Sequence, residues 1–260
     1  MSKVIALANQ KGGVAKTTSA ISLGVGLVKR GNKVLIIDCD PQGSCTVALG
    51  YQEPDRLEFT LSTIVERILN EEDYGVEEGI LHNEEGVDLL PANIELAGVE
   101  ISLINQPGSE MFLREYIEIV GDKYDFVIID CSPNLGRLTI SALCASDYVV
   151  VPVQAAFLPV KGLEQLLKTI GRVRKRLNPK LNILGILITM VNTQTVYGKE
   201  ITDLLNLVYG SHIRIFESQI PRTVRVEECS ADGVSIYKHA GSCSAATAYE
   251  AFTEEVLANV

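Results

Sequence analysis

Long apolar runs are missing from this chain of 260 residues. No run approaches the roughly 18 consecutive apolar residues of a membrane span, although apolar residues make up 47% of the sequence, enough for a substantial core. The N-terminus has a single basic residue, Lys3, before the first apolar segment, so we expect no signal peptide and a cytoplasmic protein. The C-terminal segment carries Glu250, Glu254 and Glu255, so it cannot act as a basic amphipathic membrane anchor, and we expect no membrane partner.

Closely spaced cysteines and an excess of positive charge are also missing. The six cysteines include no C-x-x-C pair, which favours reduced thiols in the core. Lysine and arginine number 23 against 33 aspartate and glutamate residues, which gives a net charge of −10. This balance argues against affinity of the whole surface for nucleic acid, but it leaves room for a local basic patch.

A glycine-rich turn between an apolar run and a small-residue helix is the clearest feature of the sequence. The run 4–8 predicts a buried strand, the turn spans 9–18, and 19–28 has helical spacing of small and apolar residues. Glycines let successive backbone N–H groups surround phosphate oxygens, and the helix N-terminus adds a positive dipole end. In this phosphate-binding loop, Lys16 would reach the outer phosphates and the Thr17 hydroxyl would ligate Mg²⁺.

The turn departs from the general pattern G-x-x-x-x-G-K-[ST], because Gln10 and Ala15 replace its two glycines. With the additional Lys11, it resembles the deviant P-loop K-G-G-x-G-K-[ST] of the ParA/MinD ATPases. That resemblance implies a dimer enclosing two ATP molecules, in which Lys11 reaches the phosphates bound by the other subunit. If the backbone at Ala15 requires a positive φ, its Cβ costs about 1–2 kcal/mol. The nucleotide contacts that the loop and the resemblance imply are Lys11, Gly12, Gly13, Val14, Ala15, Lys16, Thr17 and Thr18.

A second motif follows the next predicted strand, 33–38. Asp38 ends that strand, and Asp40-Pro41-Gln42-Gly43 follows at the edge where parallel strands present ligand sites. The segment resembles the second ATPase motif of the ParA family, which implies that Asp40 positions the attacking water and that Asp38 lies near the metal. The alternative is an ordinary turn built from Asp, Pro and Gly.

A third motif is the apolar strand 126–129 with Asp130 at its end. This is the Walker B pattern, in which the carboxylate holds the Mg²⁺ shell. The alternative is a buried strand that merely ends in aspartate. Together, the motifs and the family resemblance imply Thr17, Asp38 and Asp130 as metal residues, and Lys11, Lys16 and Asp40 as catalytic residues.

Strand and helix patterns alternate along the rest of the chain without a linker or repeat. We therefore predict one α/β domain spanning 1–260, a P-loop NTPase with a twisted, mainly parallel sheet and helices on both faces. Residues 51–85 are acidic and less periodic, and we interpret them as a variable insertion that contains a helix at 61–69. Its charged face is either solvated or a surface for a partner.

A single basic patch stands out on this acidic chain, around the helix predicted at 162–177. Clustered cations of this kind suit non-specific DNA binding, although a solvated helix face explains them equally well. The family resemblance adds Arg225 as a DNA contact and Pro221-Arg222 as a loop against adenine. It also marks departures at Ala156, where relatives carry glutamate, and at Gln194, where they often carry arginine. The candidate DNA residues are Lys168, Arg172, Lys175 and Arg225.

The resemblance spans 3–257 and favours a ParA/Soj-type partitioning ATPase with ATP and Mg²⁺ as cofactors. It implies a nucleotide-switched homodimer that binds DNA loosely, associates with the nucleoid and is stimulated by a ParB-like partner. Alternatives are an amide-forming synthetase of the same superfamily, a MinD-like positioning ATPase with a partner other than DNA, and a binding module without turnover. The sequence does not identify the cargo.

Overall fold

The computed structural model describes residues 2–75, 77–155, 160–192 and 196–260, and it does not describe the side chains of 160–161 and 196–199. Ala156 and Gln194, the two departures noted above, and the side chain of Lys161 lie outside the described residues. Within these ranges the chain forms eight strands and eleven α-helices.

The strands form one sheet in the order β3-β4-β2-β5-β1-β6-β7-β8. Every neighbouring pair is parallel except β3 with β4 at one edge. The strands are β1 (Lys3–Leu7), β2 (Val34–Cys39), β3 (Leu81–His82), β4 (Asp88–Leu90), β5 (Phe126–Cys131), β6 (Tyr148–Gln154), β7 (Asn182–Val191) and β8 (Ile215–Pro221).

Helices cover both faces of this sheet. One face carries α1 (Lys16–Val28), α2 (Ser44–Ala48), α9 (Val224–Asp232), α10 (Ile236–Ala240) and α11 (Ser244–Leu257). The other carries α3 (Leu61–Leu69), α4 (Glu95–Leu103), α5 (Phe112–Val120), α6 (Arg137–Ala145), α7 (Val160–Arg176) and α8 (Val196–Tyr209). The predicted α/β fold with a mainly parallel sheet between two helical layers is confirmed.

Alternation along the central strands divides the core between the two faces. In β5, Phe126 and Ile128 point toward the α1 layer, whereas Val127 and Ile129 point toward the α6 layer. Successive side chains of a strand point to opposite faces, so the continuous apolar run of β5 fills both layers. The same alternation fixes which face receives the polar residues at the ends of β2 and β5.

The acidic segment 51–85 is joined to the rest of the molecule at several points. Helix α3 buries Leu61, Ile64 and Val65 in the core of its face. At the C-terminal end of the segment, Glu85 accepts hydrogen bonds from the backbone N–H and the hydroxyl of Ser235 at the start of α10. Only part of this acidic segment is therefore a solvated surface.

Two of the exclusions drawn from the sequence can be compared with the structure. Five of the six cysteines are buried, and all six are free thiols. Among the described residues, no helix combines the length and the apolar character needed to cross a bilayer.

Candidate functional site

The glycine-rich loop lies at the carboxyl edge of the sheet, between β1 and α1. Asn9 holds its beginning: its Nδ2 donates to the Pro152 carbonyl at 2.6 Å, and its Oδ1 accepts from the Lys11 N–H at 3.0 Å. Further along, the Thr189 hydroxyl donates to the Val14 carbonyl at 3.1 Å. Strands β6 and β7 therefore fix the loop from one side, leaving its glycines at the sheet edge.

Two residues of the loop have left-handed backbone conformations. Gly13 has φ 68°, and Ala15, which immediately precedes α1, has φ 62° and ψ 34°. Left-handed residues in such a turn direct backbone N–H groups into an anion-binding concavity. Ala15 thus adopts the positive φ that the sequence analysis identified as costly for a residue with a Cβ.

Lys16 begins α1, and its side chain is almost completely buried, with 7% of the residue exposed. Its Nζ donates to the Lys11 carbonyl at 3.4 Å, so the side chain folds back toward the loop. Burial lowers the pKa of this ammonium, and the nearby Asp130 acts in the opposite direction. An anion bound in the loop would offset the desolvation of Lys16.

Thr17 and Asp130 meet beneath the loop. The Thr17 hydroxyl donates to Asp130 Oδ2 at 2.6 Å, whereas the buried Asp130 Oδ1 has no hydrogen-bond partner in the described residues. Burial, together with the neighbouring Asp38, raises the pKa of Asp130 to about 8, while the Thr17 hydrogen bond opposes the shift. A buried carboxylate oxygen without a partner is a position that a cation or its water shell can satisfy.

Asp38 lies beside Asp130, because β2 and β5 pair in parallel with these two residues in register. Its Oδ2 accepts from the Thr46 N–H at 2.9 Å and the Thr46 hydroxyl at 2.8 Å, and its Oδ1 accepts from the Asp40 N–H at 3.2 Å. Burial raises the pKa of Asp38 to about 6, and the Thr46 hydrogen bonds oppose the shift. In this structure Asp38 holds the turn that leads from β2 to α2.

Asp40 occupies that turn and is partly exposed. Its Oδ1 accepts from the Gln42 N–H at 3.1 Å, its carbonyl accepts from the Gly43 N–H at 2.9 Å, and Gly43 has φ 61°. The local hydrogen bonds orient the carboxylate without burying it. Asp40 is therefore close enough to solvent to hold a water molecule.

Lys11 is directed toward β6 in the single chain. Its Nζ lies 3.3 Å from Gln154 Oε1, at the end of β6. The lysine is partly buried and sits on the loop at the rim of the site. The role across a dimer that the family resemblance implies stays a prediction.

The donor set beneath the loop fits Mg²⁺. Mg²⁺ favours oxygen ligands and is usually held by one or two carboxylates together with substrate phosphates and water. Thr17 and Asp130 supply a hydroxyl and an unpartnered carboxylate oxygen at one point. No cluster of three or more His, Cys, Asp or Glu side chains that could hold a metal occurs in the described part of the chain, so protein side chains alone offer no closed metal cage there.

The predicted adenine loop also reaches the carboxyl edge of the sheet. Pro221 ends β8 opposite Val191 of β7, and the Arg222 N–H donates to the Val191 carbonyl at 3.0 Å. Arg222 is exposed. The structure thus places Pro221 and Arg222 at the same edge as the glycine-rich loop, and their contact with a base stays a prediction.

The candidate DNA residues fall into two groups. Lys168, Arg172 and Lys175 are exposed on α7, spaced four and three residues apart along one side, and none of them is ion-paired within the described ranges. Arg225, on α9, is paired with Glu228 at 2.9 Å. The α7 cations are the more available of the two groups.

Several residues that shape the site have no signal in the sequence analysis. Asn9, Thr46 and Thr189 are uncharged, and they act through contacts with residues up to 175 positions away. Gln10 Oε1 and Ser132 Oγ are buried near the motifs without a hydrogen-bond partner in the described residues. Asn9 and Ser132 have only their positions as a sequence signal, since Asn9 begins the glycine-rich turn and Ser132 lies two residues after Asp130.

Comparison with known proteins gives a consistent result along the whole chain. A protein-family model described as an AAA domain matches residues 2–183. The sporulation initiation inhibitor protein Soj of Bacillus subtilis is 39% identical over 260 residues, covering 100% of both chains. The chromosome partitioning protein ParA of Caulobacter vibrioides is 37% identical, covering 98% of this chain and 94% of the relative.

A solved structure is similar to this chain in fold as well as in sequence. The structure described as cobyrinic acid a,c-diamide synthase from Mycobacterium smegmatis, with a bound ATP analog and magnesium, superposes with a TM-score of 0.87. It is 36% identical and covers 99% of this chain and 94% of that chain.

The strain at Ala15 gives a first prediction. Ala15→Gly removes a Cβ from a left-handed residue, so we expect the free energy of unfolding to rise by about 1 kcal/mol. Gly13→Ala is the matched control, because a Cβ at Gly13 meets nothing within 4 Å and adds only backbone strain. It should lower the free energy of unfolding by about 1–2 kcal/mol. Urea unfolding of the nucleotide-free protein measures both, and equal stability of the two variants would contradict the prediction.

The buried Asp130 gives a second prediction. Its pKa of about 8 in the folded protein exceeds the value of about 4 expected for an unfolded chain, so the folded state favours the protonated carboxyl. Its stabilising contribution is therefore complete below pH 4 and is lost as the pH rises toward 8. Between pH 6 and 8, above the pKa of Asp38, the free energy of unfolding should fall by up to about 1.4 kcal/mol per pH unit.

Asp130→Asn cannot ionise and should flatten this decline, while its side-chain oxygen still accepts from Thr17. Asp73→Asn removes the same charge from an exposed position and serves as the control. Thermal and urea unfolding with a chelator and without nucleotide measure the slopes. An unchanged slope in Asp130→Asn would show that another group causes the pH dependence.

Proposed function

This chain belongs to the ParA/Soj family of P-loop ATPases, and from that premise we propose that it is an ATP-switched dimer acting in chromosome or plasmid partitioning. The observation that carries the proposal is the convergence of Lys16, Thr17 and Asp130 beneath a loop with two left-handed residues, with Asp40 beside it. We propose ATP and Mg²⁺ as the cofactors, in keeping with the ATP analog and magnesium of the similar solved structure.

In this proposal the chain's own residues bind and orient the triphosphate. Backbone N–H groups of 12–17 and the α1 N-terminus bind the phosphate oxygens. A charge-assisted hydrogen bond from Lys16 to a phosphate would offset the desolvation of its buried ammonium. Thr17 and Asp130 would hold Mg²⁺, which supplies positive charge at the β- and γ-phosphates. Asp38 keeps the Asp40 turn in place from below.

Hydrolysis requires a water molecule positioned for attack, and we assign that role to Asp40. Its carboxylate is partly exposed and is held by the Gln42 N–H, so it can accept a hydrogen bond from water without first being released from the core. Lys16 and Lys11 neutralise charge on the transferring phosphoryl group. A ParB-like activator would raise turnover, and adding such a protein to the purified chain tests this step.

Dimerisation is proposed to depend on Lys11. In the single chain its Nζ lies 3.3 Å from a neutral amide oxygen of Gln154. A phosphate of the facing subunit would offer an acceptor that is itself ionised, which adds attraction between opposite charges to the hydrogen bond. We therefore expect Lys11 to exchange its contact with Gln154 for the phosphate once nucleotide brings the second subunit close.

Loose DNA binding is proposed for the exposed cations of α7. Lys168, Arg172 and Lys175 form one side of the helix and compete with no ion pair in the described residues. Non-specific binding of this kind depends on phosphate contacts and is weakened by salt. It would place the protein on the nucleoid while the dimer persists.

A second candidate function is amide-bond synthesis, which the name of the similar M. smegmatis structure suggests. Such an enzyme needs a pocket for a carboxylate acceptor beside the γ-phosphate. A cavity of about 560 Å³ in the described residues is lined by Val4, Asp147 and Lys180, at the amino ends of the strands and thus at the sheet edge away from the glycine-rich loop. We therefore favour hydrolysis, and ATP turnover that requires a small carboxylate would reverse this choice.

Substitution of Asp40 tests the proposed cycle. Asp40→Ala should keep ATP affinity, because the Asp40 carboxylate accepts from the Gln42 N–H of its own turn and not from the loop. It should lower turnover at least about 100-fold, since water is no longer positioned. It should also accumulate as a dimer with ATP in size-exclusion chromatography. Lys16→Ala is the companion variant and should lose ATP binding in calorimetry. An Asp40→Ala protein that stays monomeric with ATP, or hydrolyses ATP at the normal rate, would contradict the role proposed for Asp40.

The DNA proposal is tested by its salt dependence. The triple variant Lys168→Ala, Arg172→Ala and Lys175→Ala should weaken DNA binding and lower the slope of log K against log salt by about 2–3. The triple variant Lys29→Ala, Arg30→Ala and Lys123→Ala removes equal charge from residues paired with Glu250, Glu254 and Glu77 and is the control. Equal effects of the two sets, measured with ATP present, would show that only net charge matters.

A further inference from the structure

Helix α4 is apolar on two opposite sides. Its inner side buries Leu96, Val99 and Leu103 in the core beneath the sheet. A helix that covers a core normally turns charged residues outward, and the neighbouring α5 does so with Glu115 and Glu118. The outer side of α4 does not follow this rule.

The outer side carries a stripe of Ile94, Ala97, Ile101 and Ile104, which we call the outer α4 stripe. Its isoleucines are 52%, 69% and 55% exposed, and Ile94 and Ile104 extend the helical conformation at either end. The spacing of three, four and three residues is the a/d spacing of a helix that packs against another helix. No residue in the described ranges covers this stripe.

Hydrogen bonds connect α4 to the segment that follows the Asp130 strand, and that segment lies beside the phosphate-binding loop. Arg137 Nη2 donates to the Ile104 carbonyl at 3.2 Å, and Glu100 Oε1 accepts from the Leu138 N–H at 3.3 Å. These residues follow the Asp130 strand, and Pro133 in the same connection is the nearest neighbour of Gly12, 4.0 Å from the position of an added Cβ. The stripe therefore continues the surface on which Lys11 and the loop lie.

The charges at its two ends suit a second copy of the same chain. Glu95 is exposed at the N-terminal end, and Arg137 lies at the C-terminal end against Ile104, where its guanidinium is also 3.5 Å from Glu110 of the same chain. A twofold axis brings the same surface of both copies together. When two α4 helices cross in opposite directions at that axis, Glu95 of each copy faces the Arg137 end of the other, and their helix dipoles are antiparallel.

We infer that the outer α4 stripe is an apolar part of the contact between the two subunits of the nucleotide-bound dimer. This inference rests on the proposed function, since it assigns a further surface to the proposed dimer. It also explains how burial of apolar area supports association between two chains that each carry a net charge of −10. Binding of nucleotide aligns the loops, and the stripe then becomes covered.

The test is the double variant Ile101→Glu and Ile104→Glu. Sedimentation in the presence of a non-hydrolysable ATP analogue should show a dimer dissociation constant more than about tenfold higher than that of the unmodified protein. Calorimetry should show unchanged affinity of the monomer for the analogue. The matched control is Leu207→Glu and Val208→Glu, which places the same two charges on exposed apolar positions of α8 and should leave the dimer intact.

The outcomes separate the two proposals. If the unmodified protein dimerises and Ile101→Glu with Ile104→Glu dimerises equally well, the role of the stripe is wrong and the nucleotide-switched dimer stands. If the unmodified protein binds the analogue and stays monomeric, both are overturned. If the glutamate variant loses nucleotide binding, the milder variant Ile101→Ser with Ile104→Ser replaces it, and the same tenfold change in the dimer dissociation constant decides the outcome. A control variant that dissociates as strongly as the α4 variant also overturns the role of the stripe.

Discussion

Three ionisable side chains buried at one edge of a parallel sheet impose the constraint on which the rest of this structure depends. Burial is the main cause of the pKa shifts of Lys16, Asp38 and Asp130, and in each case it disfavours the charged form. Hydroxyls of Thr17 and Thr46 compensate the two carboxylates in part, and one oxygen of Asp130 stays without a partner. Such a site is most stable when an anion and a cation enter together, so ligand binding and folding stability are linked.

Placement of these groups follows from how the core is divided. Asp38 and Asp130 are in register on neighbouring strands, as are Cys39 and Cys131 one position later. The cysteines point into the α6 layer, so both aspartates point toward α1 and α2, where the hydroxyls of Thr17 and Thr46 donate hydrogen bonds to them. A slip of one residue in either strand would exchange carboxylates and thiols between the faces. The apolar pattern that fills the core therefore also positions the polar site.

Local patterns were sufficient to predict the fold class and the elements that carry the motifs. The strand before Asp130 follows from its apolar run and its terminal aspartate. The helix predicted at 19–28 is also present, but α1 begins at Lys16, three residues earlier than its apolar spacing indicated. Helices α9 and α10 were not predicted, because polar and apolar residues are equally frequent in 224–240 and show no clear period. The antiparallel pairing of the two-residue β3 and the contacts of Asn9, Thr46 and Thr189 depend on residues distant in sequence, which a local pattern cannot reveal. Acidic composition suggested an insertion at 51–85, where the apolar side of α3 joins the core.

The left-handed conformation at position 15 also limits how this protein can vary over evolution. Alanine is the smallest residue with a Cβ, and it is tolerated there at a modest cost. β-Branched and bulky side chains are genuine outliers at positive φ. A β-branched residue such as valine or threonine at position 15 would therefore be disfavoured through the backbone, even though the side chain at this position contributes no functional group of its own.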